Sequence, residues 1–210
     1  MRDRIPFPSP DDRIEPVPVT LSSLVAVAAF AAICLGFHAI GDQAWVPVLD
    51  SANLAIHEAG HPLTGLMSDR LAVYGGTLFQ LAFPVAVAVH FRRRGHAAGT
   101  AAGVVWLGEN LLNVARYMAD ARAQELPLVG GGDHDWTEIL GRWHLVQWDT
   151  RLAGILRLVA VLLISWAVWW LYRQWQASRQ PGATPEGRMA VCCRAVPGLA
   201  LLRRRISGIM

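Results

Sequence analysis

Leu21-Ser-Ser-Leu-Val-Ala-Val-Ala-Ala-Phe-Ala-Ala-Ile-Cys-Leu-Gly-Phe-His-Ala-Ile40 runs for twenty residues without an Asp, Glu, Lys or Arg. As an α-helix it would rise about 30 Å, the thickness of a bilayer's hydrocarbon core. It follows a polar tail of some twenty residues and lacks a small-residue cleavage site, so it reads as a retained span rather than a signal peptide. Three further blocks of similar length follow: Ala72 to Phe91, Ala97 to Met118 and Arg151 to Tyr172. The whole chain of 210 residues is 53% hydrophobic and 17% charged, too little charge to cover a soluble domain of that size. These features predict an all-α, polytopic integral membrane protein with about four transmembrane helices.

The ends differ from the middle. Residues 1–19 carry Pro6, Pro8, Pro10, Pro16 and Pro18 among mixed charges and read as a disordered tail. Residues 20–175 form the membrane domain, and residues 176–210 a basic, flexible tail. All 19 basic residues are Arg, a codon signature of a GC-rich bacterial genome. They stand at the ends of the apolar blocks, which points to membrane topology rather than nucleic acid. Arg92, Arg93 and Arg94, together with Arg173, Arg179, Arg188, Arg194 and Arg203 to Arg205, place the turn near residue 93 and the carboxyl tail in the cytoplasm. The segment from Gly130 to Trp136 then lies outside, and Trp166, Trp169, Trp170 and Trp175 form an interfacial belt. The expected location is a bacterial inner membrane, crossed several times. Three cysteines, two of them adjacent, make no disulfide framework.

One segment is too polar for a lipid-facing span: Asp50-Ser-Ala-Asn-Leu-Ala-Ile-His-Glu-Ala-Gly-His-Pro-Leu-Thr-Gly-Leu-Met67. It is expected to be a helix shielded by its neighbours or a partial, re-entrant one, bent where Pro62 crowds the carbonyl of Glu58. His57 and His61 are four residues apart and share a helical face, the spacing with which two imidazoles hold one zinc. Zinc takes imidazole at about 2.0–2.1 Å and in catalytic sites keeps a fourth place open for water. Glu58 stands beside the first ligand as the base for that water, whose pKa the metal brings toward roughly 7. Gly60, between the ligands, allows another backbone to come close.

Two candidates stand for the third ligand. In the block from Ala97, Glu109, Asn113, Arg116 and Asp120 share one face at spacings of four, three and four. Asp120 lies at the outer end of that face, where a site opening outward would need it, while pairing among these charges is the structural alternative. His134 is the rival, in a Gly-rich loop on the same side, with Asp135 orienting a ring. The alternative there is a helix cap made by Asp133-His134-Asp135. His38, His90, His96 and His144 show no partner pattern.

His57-Glu-Ala-Gly-His61 followed by a helix bearing Asn110, Asn113 and Asp120 resembles the site-2 protease type of membrane metalloprotease. That family places the His pair and Glu on one core helix and an Asp ligand two spans later, within Asn-x-x-Pro-x-x-x-x-Asp-Gly. This chain keeps the order but has no Pro between Asn and Asp120, and Ala121 where the family has Gly. The runs Gly75-Gly-Thr-Leu-Phe-Gln80, Gly108-Glu-Asn110, Ala119-Asp-Ala-Arg122 and Gly130-Gly-Gly-Asp-His-Asp-Trp136 are also similar to a group of small, uncharacterised bacterial membrane proteins. The resemblance implies that the His-Glu-x-x-His and His-Asp-Trp segments belong to one site. That resemblance supplies no substrate. The residues themselves lead to zinc as the expected cofactor, held by His57, His61 and Asp120 or His134. Glu58 would be the base, and Asn110 would orient substrate, a peptide or membrane protein cleaved near the outer surface. Two rival functions are a zinc-binding membrane protein without catalysis, and a transporter or partner subunit whose polar face lines a pathway.

Overall fold

The structure, a computed structural model, describes residues 16–41, 45–128 and 133–179. Most of the two expected tails, and Gly130 to Gly132, lie outside the described residues. The described residues are helical apart from turns and one bridge between Val17 and His96. The elements are α1 (Leu21–Ile40), α2 (Leu49–Gly65), α3 (Asp69–Arg93), α4 (Ala97–Ala119), α5 (Asp135–Arg142), a 3₁₀ turn (Val146–Trp148) and α6 (Asp149–Ser178). Local chemistry starts several of them. Thr20 and Ser23 form a reciprocal capping box at α1, Ser68 accepts from Arg70 N at α3, and His96 Nδ1 accepts from Gly99 N at α4. Gly95, at φ +68°, supplies the left-handed residue that turns α3 into α4.

Among the described residues, three helices are long and apolar enough to cross a membrane: α1, α3 and the continuous stretch Val146–Ser178. Only 22%, 28% and 22% of their apolar stretches are buried inside the protein. Leu158, Leu162 and Trp169 are among the residues left facing outward, a pattern suited to lipid. The fourth expected span forms as α4, with the length of a span, yet it stands apart from these three. Its Glu109, Asn110 and Asn113 are buried in the middle of the molecule, where α1, α3 and α6 surround it.

Small residues make that packing possible. A Cβ on Gly103 would lie 2.8 Å from Ala88 N, and one on Gly108 would strike Ile164. Ala101, Val105, Ile164 and Ala167 fill the seam between α4 and α6, with Val27 and Ala31 from α1. A second core of Val73, Val114, Met118, Ile139, Leu140 and Ala153 seats α5. The stretch between the third and fourth apolar blocks thus contains, among its described residues, a short helix and the start of α6. Arg122 clamps that start, its Nε and Nη2 donating to the two carboxylate oxygens of Asp149 at 2.8 and 2.7 Å.

Contacts at the ends settle the direction of α1. Val17 N donates to Gly95 O (3.1 Å) and Ser178 Oγ to Val19 O (3.3 Å). The entry to α1, the Arg92–Gly95 turn and the end of α6 therefore share one end of the bundle. α2 does not run from end to end. Asn53 meets Glu109, ten residues or about 15 Å short of the last residue of α4. His61, farther along, reaches Ala72 O near the start of α3. α2 thus starts beside the middle of α4 and ends near the start of α3, with Asp50, Asn53 and His57 buried by its neighbours.

Candidate metal centre

α2 brings His57 and His61 to its inner face, their rings 4.9 Å apart. The crossing of α2 on α3 is close because both backbones are bare there. A Cβ on Gly60 would fall inside the carbonyl of Gly75, and one on Gly76 would lie 2.5 Å from His57 Nε2. Each imidazole is held from behind through Nδ1. His61 Nδ1 donates to Ala72 O at 2.9 Å, and His57 Nδ1 pairs with Gln80 Oε1 at 3.1 Å. A carbonyl oxygen only accepts, so each Nδ1 carries a proton and each Nε2 is turned inward.

Both Nε2 atoms face one carboxylate oxygen. Asp135 Oδ2 lies 3.0 Å from His57 Nε2 and 3.4 Å from His61 Nε2. One ligand atom from each of the three residues falls within 4.8 Å of the others, a group that could hold a metal ion. A carboxylate oxygen between two imidazole nitrogens is a donor set that a proton or a metal cation would satisfy.

The third position of this group is therefore taken by Asp135, not by Asp120 or His134. Those two face each other instead: His134 Nε2 is 3.4 Å from Asp120 Oδ2, and neither lines the cavity beside the histidine pair. Their other valences are also committed. Asp120 accepts from Glu125 N (2.9 Å) and Leu126 N (3.1 Å), while His134 Nδ1 accepts from Thr137 N as the cap of α5. Burial above all holds the His134 imidazole below its ordinary pKa, so the ring is neutral and suited to this cap. With His134 turned back on α5, the next residue, Asp135, projects toward α2. Tyr117 steadies it: its hydroxyl accepts from Asp135 N at 3.3 Å, and its ring covers His134 at 4.1 Å.

A cavity of about 680 Å³ adjoins the group, lined by Glu58, His57, His61, Asp135, Tyr117 and Trp45 among others. Glu58 is half-buried on its wall. Asn110 is elsewhere: it is fully buried, donates to Trp106 O (3.0 Å) and Asn53 Oδ1 (3.3 Å), and does not line the cavity. A substrate in the cavity would not meet it.

Sequence reasoning passed over Gln80 and Tyr117 as site residues and set His38 aside. Gln80 carried a signal, a lone amide within an apolar block. His38 had none, for its partner Glu109, at 3.5 Å, sits 71 positions away. No family model, curated protein or solved structure matches the chain.

Proposed function

We propose that this is a multi-pass protein of the bacterial inner membrane, with α1, α3, α4 and α6 crossing it. We further propose that it is a zinc-dependent hydrolase, related in design to the site-2 proteases, that cleaves peptide bonds near the outer surface. The observation that carries the reading is the convergence of His57 Nε2, His61 Nε2 and Asp135 Oδ2 beside a cavity whose wall includes Glu58. Two imidazoles and a carboxylate are a donor set that suits zinc and leave one coordination place free. When bound, zinc supplies the Lewis acidity that makes a water acidic at neutral pH and polarises a carbonyl.

The chain's own residues do the rest. Gln80 Oε1 and Ala72 O fix the tautomer and tilt of the two rings, as carboxylates and carbonyls behind ligating histidines do. Glu58 takes a proton from water and returns it to the departing amine. Arg92 to Arg94 and the end of α6 would face the cytoplasm, which puts α5 and the cavity mouth on the outer side.

The test begins with metal. Protein purified in detergent should hold about one zinc per chain, lost in His57→Ala/His61→Ala and in Asp135→Ala, and retained in Asp120→Asn. Glu58→Gln should keep its zinc while peptide hydrolysis falls by about 10²–10⁴-fold. Equal zinc in wild type and the double variant would end the reading at the metal. Zinc with activity untouched by Glu58→Gln would end it at the base.

A further inference from the structure

Behind the cavity wall lies a second polar group that the metal centre does not use. Glu109, on α4, is fully buried. Its Oε2 accepts from Asn53 Nδ2 at 2.7 Å, and its Oε1 accepts from Asn113 Nδ2. The same Asn113 nitrogen donates to Asp50 Oδ1 at 2.7 Å, so one amide bridges two carboxyl groups, which face each other in the protein interior. Asp50 is 2% exposed and also accepts from Val46 N at 2.6 Å.

The charges around the pair are few. Arg116 Nη2 reaches it through Asn113 Oδ1 at 2.9 Å. From α1, His38 Nε2 stands 3.5 Å from Glu109 Oε1, and the buried Cys34 thiol lies nearby. One guanidinium can neutralise one carboxylate. Two carboxylates bridged by a single amide in a site this dry cannot both ionise without a large penalty, and the usual resolution is a shared proton. Asp50, Asn53 and Asn113 all line the cavity, whereas Glu109 does not. The pair therefore spans the wall, with one carboxyl at the cavity and one behind it.

We propose that Asp50 and Glu109 share one proton at neutral pH and exchange it with the cavity through Asp50, forming an acid store independent of the metal ligands. The transfer is a proton hop with no other bond changed. Glu109 passes its proton to the Asp50 carboxylate, and Asp50 trades it with cavity water for another, so the pair keeps one proton throughout. His38 can hand a proton to Glu109 from the α1 side. An ionisable pair retained inside a bilayer without such a use would carry only cost. The inference rests on the fold and these contacts, and would stand if the hydrolase reading failed.

Infrared spectroscopy of the full-length protein in detergent tests it. Wild type at neutral pH should show the C=O stretch of a protonated carboxyl. The band should vanish in Glu109→Gln and persist in Glu58→Gln. It should also shift within seconds of mixing into D₂O. If Glu109→Gln does not fold, the wild-type band and its exchange still decide, with Asp50→Asn altering the band's position. A wild-type spectrum without the band would overturn the shared proton. So would a band unchanged in both Glu109→Gln and Asp50→Asn. A band that resists D₂O for hours would overturn the connection to the cavity.

Discussion

His57 is held on three sides, by Gln80 at Nδ1, by Asp135 at Nε2 and by the bare Cα of Gly76 against its ring face. Each constraint removes freedom that a metal would otherwise have to restrict. A methyl group at position 76 would stand 2.5 Å from Nε2, the ligating atom itself. Gly76→Ala should therefore tilt the ring and weaken zinc binding by at least about tenfold. Gln80→Leu should weaken it by about 10–100-fold through loss of the partner behind the ring. Zinc affinity measured by competition with a chelator checks both. An unchanged affinity in Gln80→Leu would mean that the Nδ1 contact does not orient the ligand. At the same scale, the group that could hold a metal includes Asp135, where the sequence left Asp120 and His134 open as third ligand. A helix cap turns its side chain back onto the third residue of its own helix, and the next side chain then points outward.

Among the elements, α2 depends most on its neighbours. Its segment is too polar to face lipid, and its polar residues are matched one by one: Asp50 with Asn113, Asn53 with Glu109, His57 with Gln80. The crossing on α3 rests on Gly60 against Gly75, with Thr64 Oγ1 packed on Gly75 as well and donating to Gly60 O at 2.8 Å. Gly60→Ala would set a methyl inside a backbone carbonyl, which no rotamer change can relieve. Such overpacking typically costs about 1–3 kcal/mol. The expected outcome is a lower Tm in detergent together with weaker zinc binding, because α2 must move off α3 and carries both histidines. A Tm equal to wild type would show that the two helices separate without cost. Much of this was legible in advance. The helical periods of α3, α4 and α6 and the His57–His61 face follow from local pattern alone. The height of α2 in the bundle was not legible, because it is decided by which residue of α4 pairs with Asn53.

For the molecule as a whole, the shared end formed by Val17, Gly95 and Ser178 predicts a topology that Arg counting alone left open at the amino terminus. With Arg92 to Arg94 inside, the entry to α1 would be inside too, and the four proposed crossings would return the carboxyl end to the same side. Single cysteines at Arg94 and Glu125, in a background lacking Cys34, Cys192 and Cys193, should respond oppositely to an impermeant thiol reagent on intact cells. Glu125→Cys should label and Arg94→Cys should not. Labelling of Arg94→Cys with protection of Glu125→Cys would invert the molecule and place the cavity on the cytoplasmic side.

The sequence by itself determined the quantities that are local or additive. Apolar blocks of bilayer length, the Arg residues at their ends and the four-residue spacing of His57 and His61 are properties of short stretches, and solvent acts on each stretch separately. The tertiary structure alone decided which distant groups meet. Asp135 rather than Asp120 or His134 joins the histidines, Asp120 and His134 pair with each other, and Asn110 turns away from the cavity into the helix seam. Every one of these residues is polar, buried and able to satisfy several partners, so its chemistry permits many pairings. Which pairing forms depends on the rotation and depth of each helix. Those are set by close backbone approaches such as Gly60 on Gly75 and Gly108 on α6, summed over the whole bundle rather than contained in any one segment.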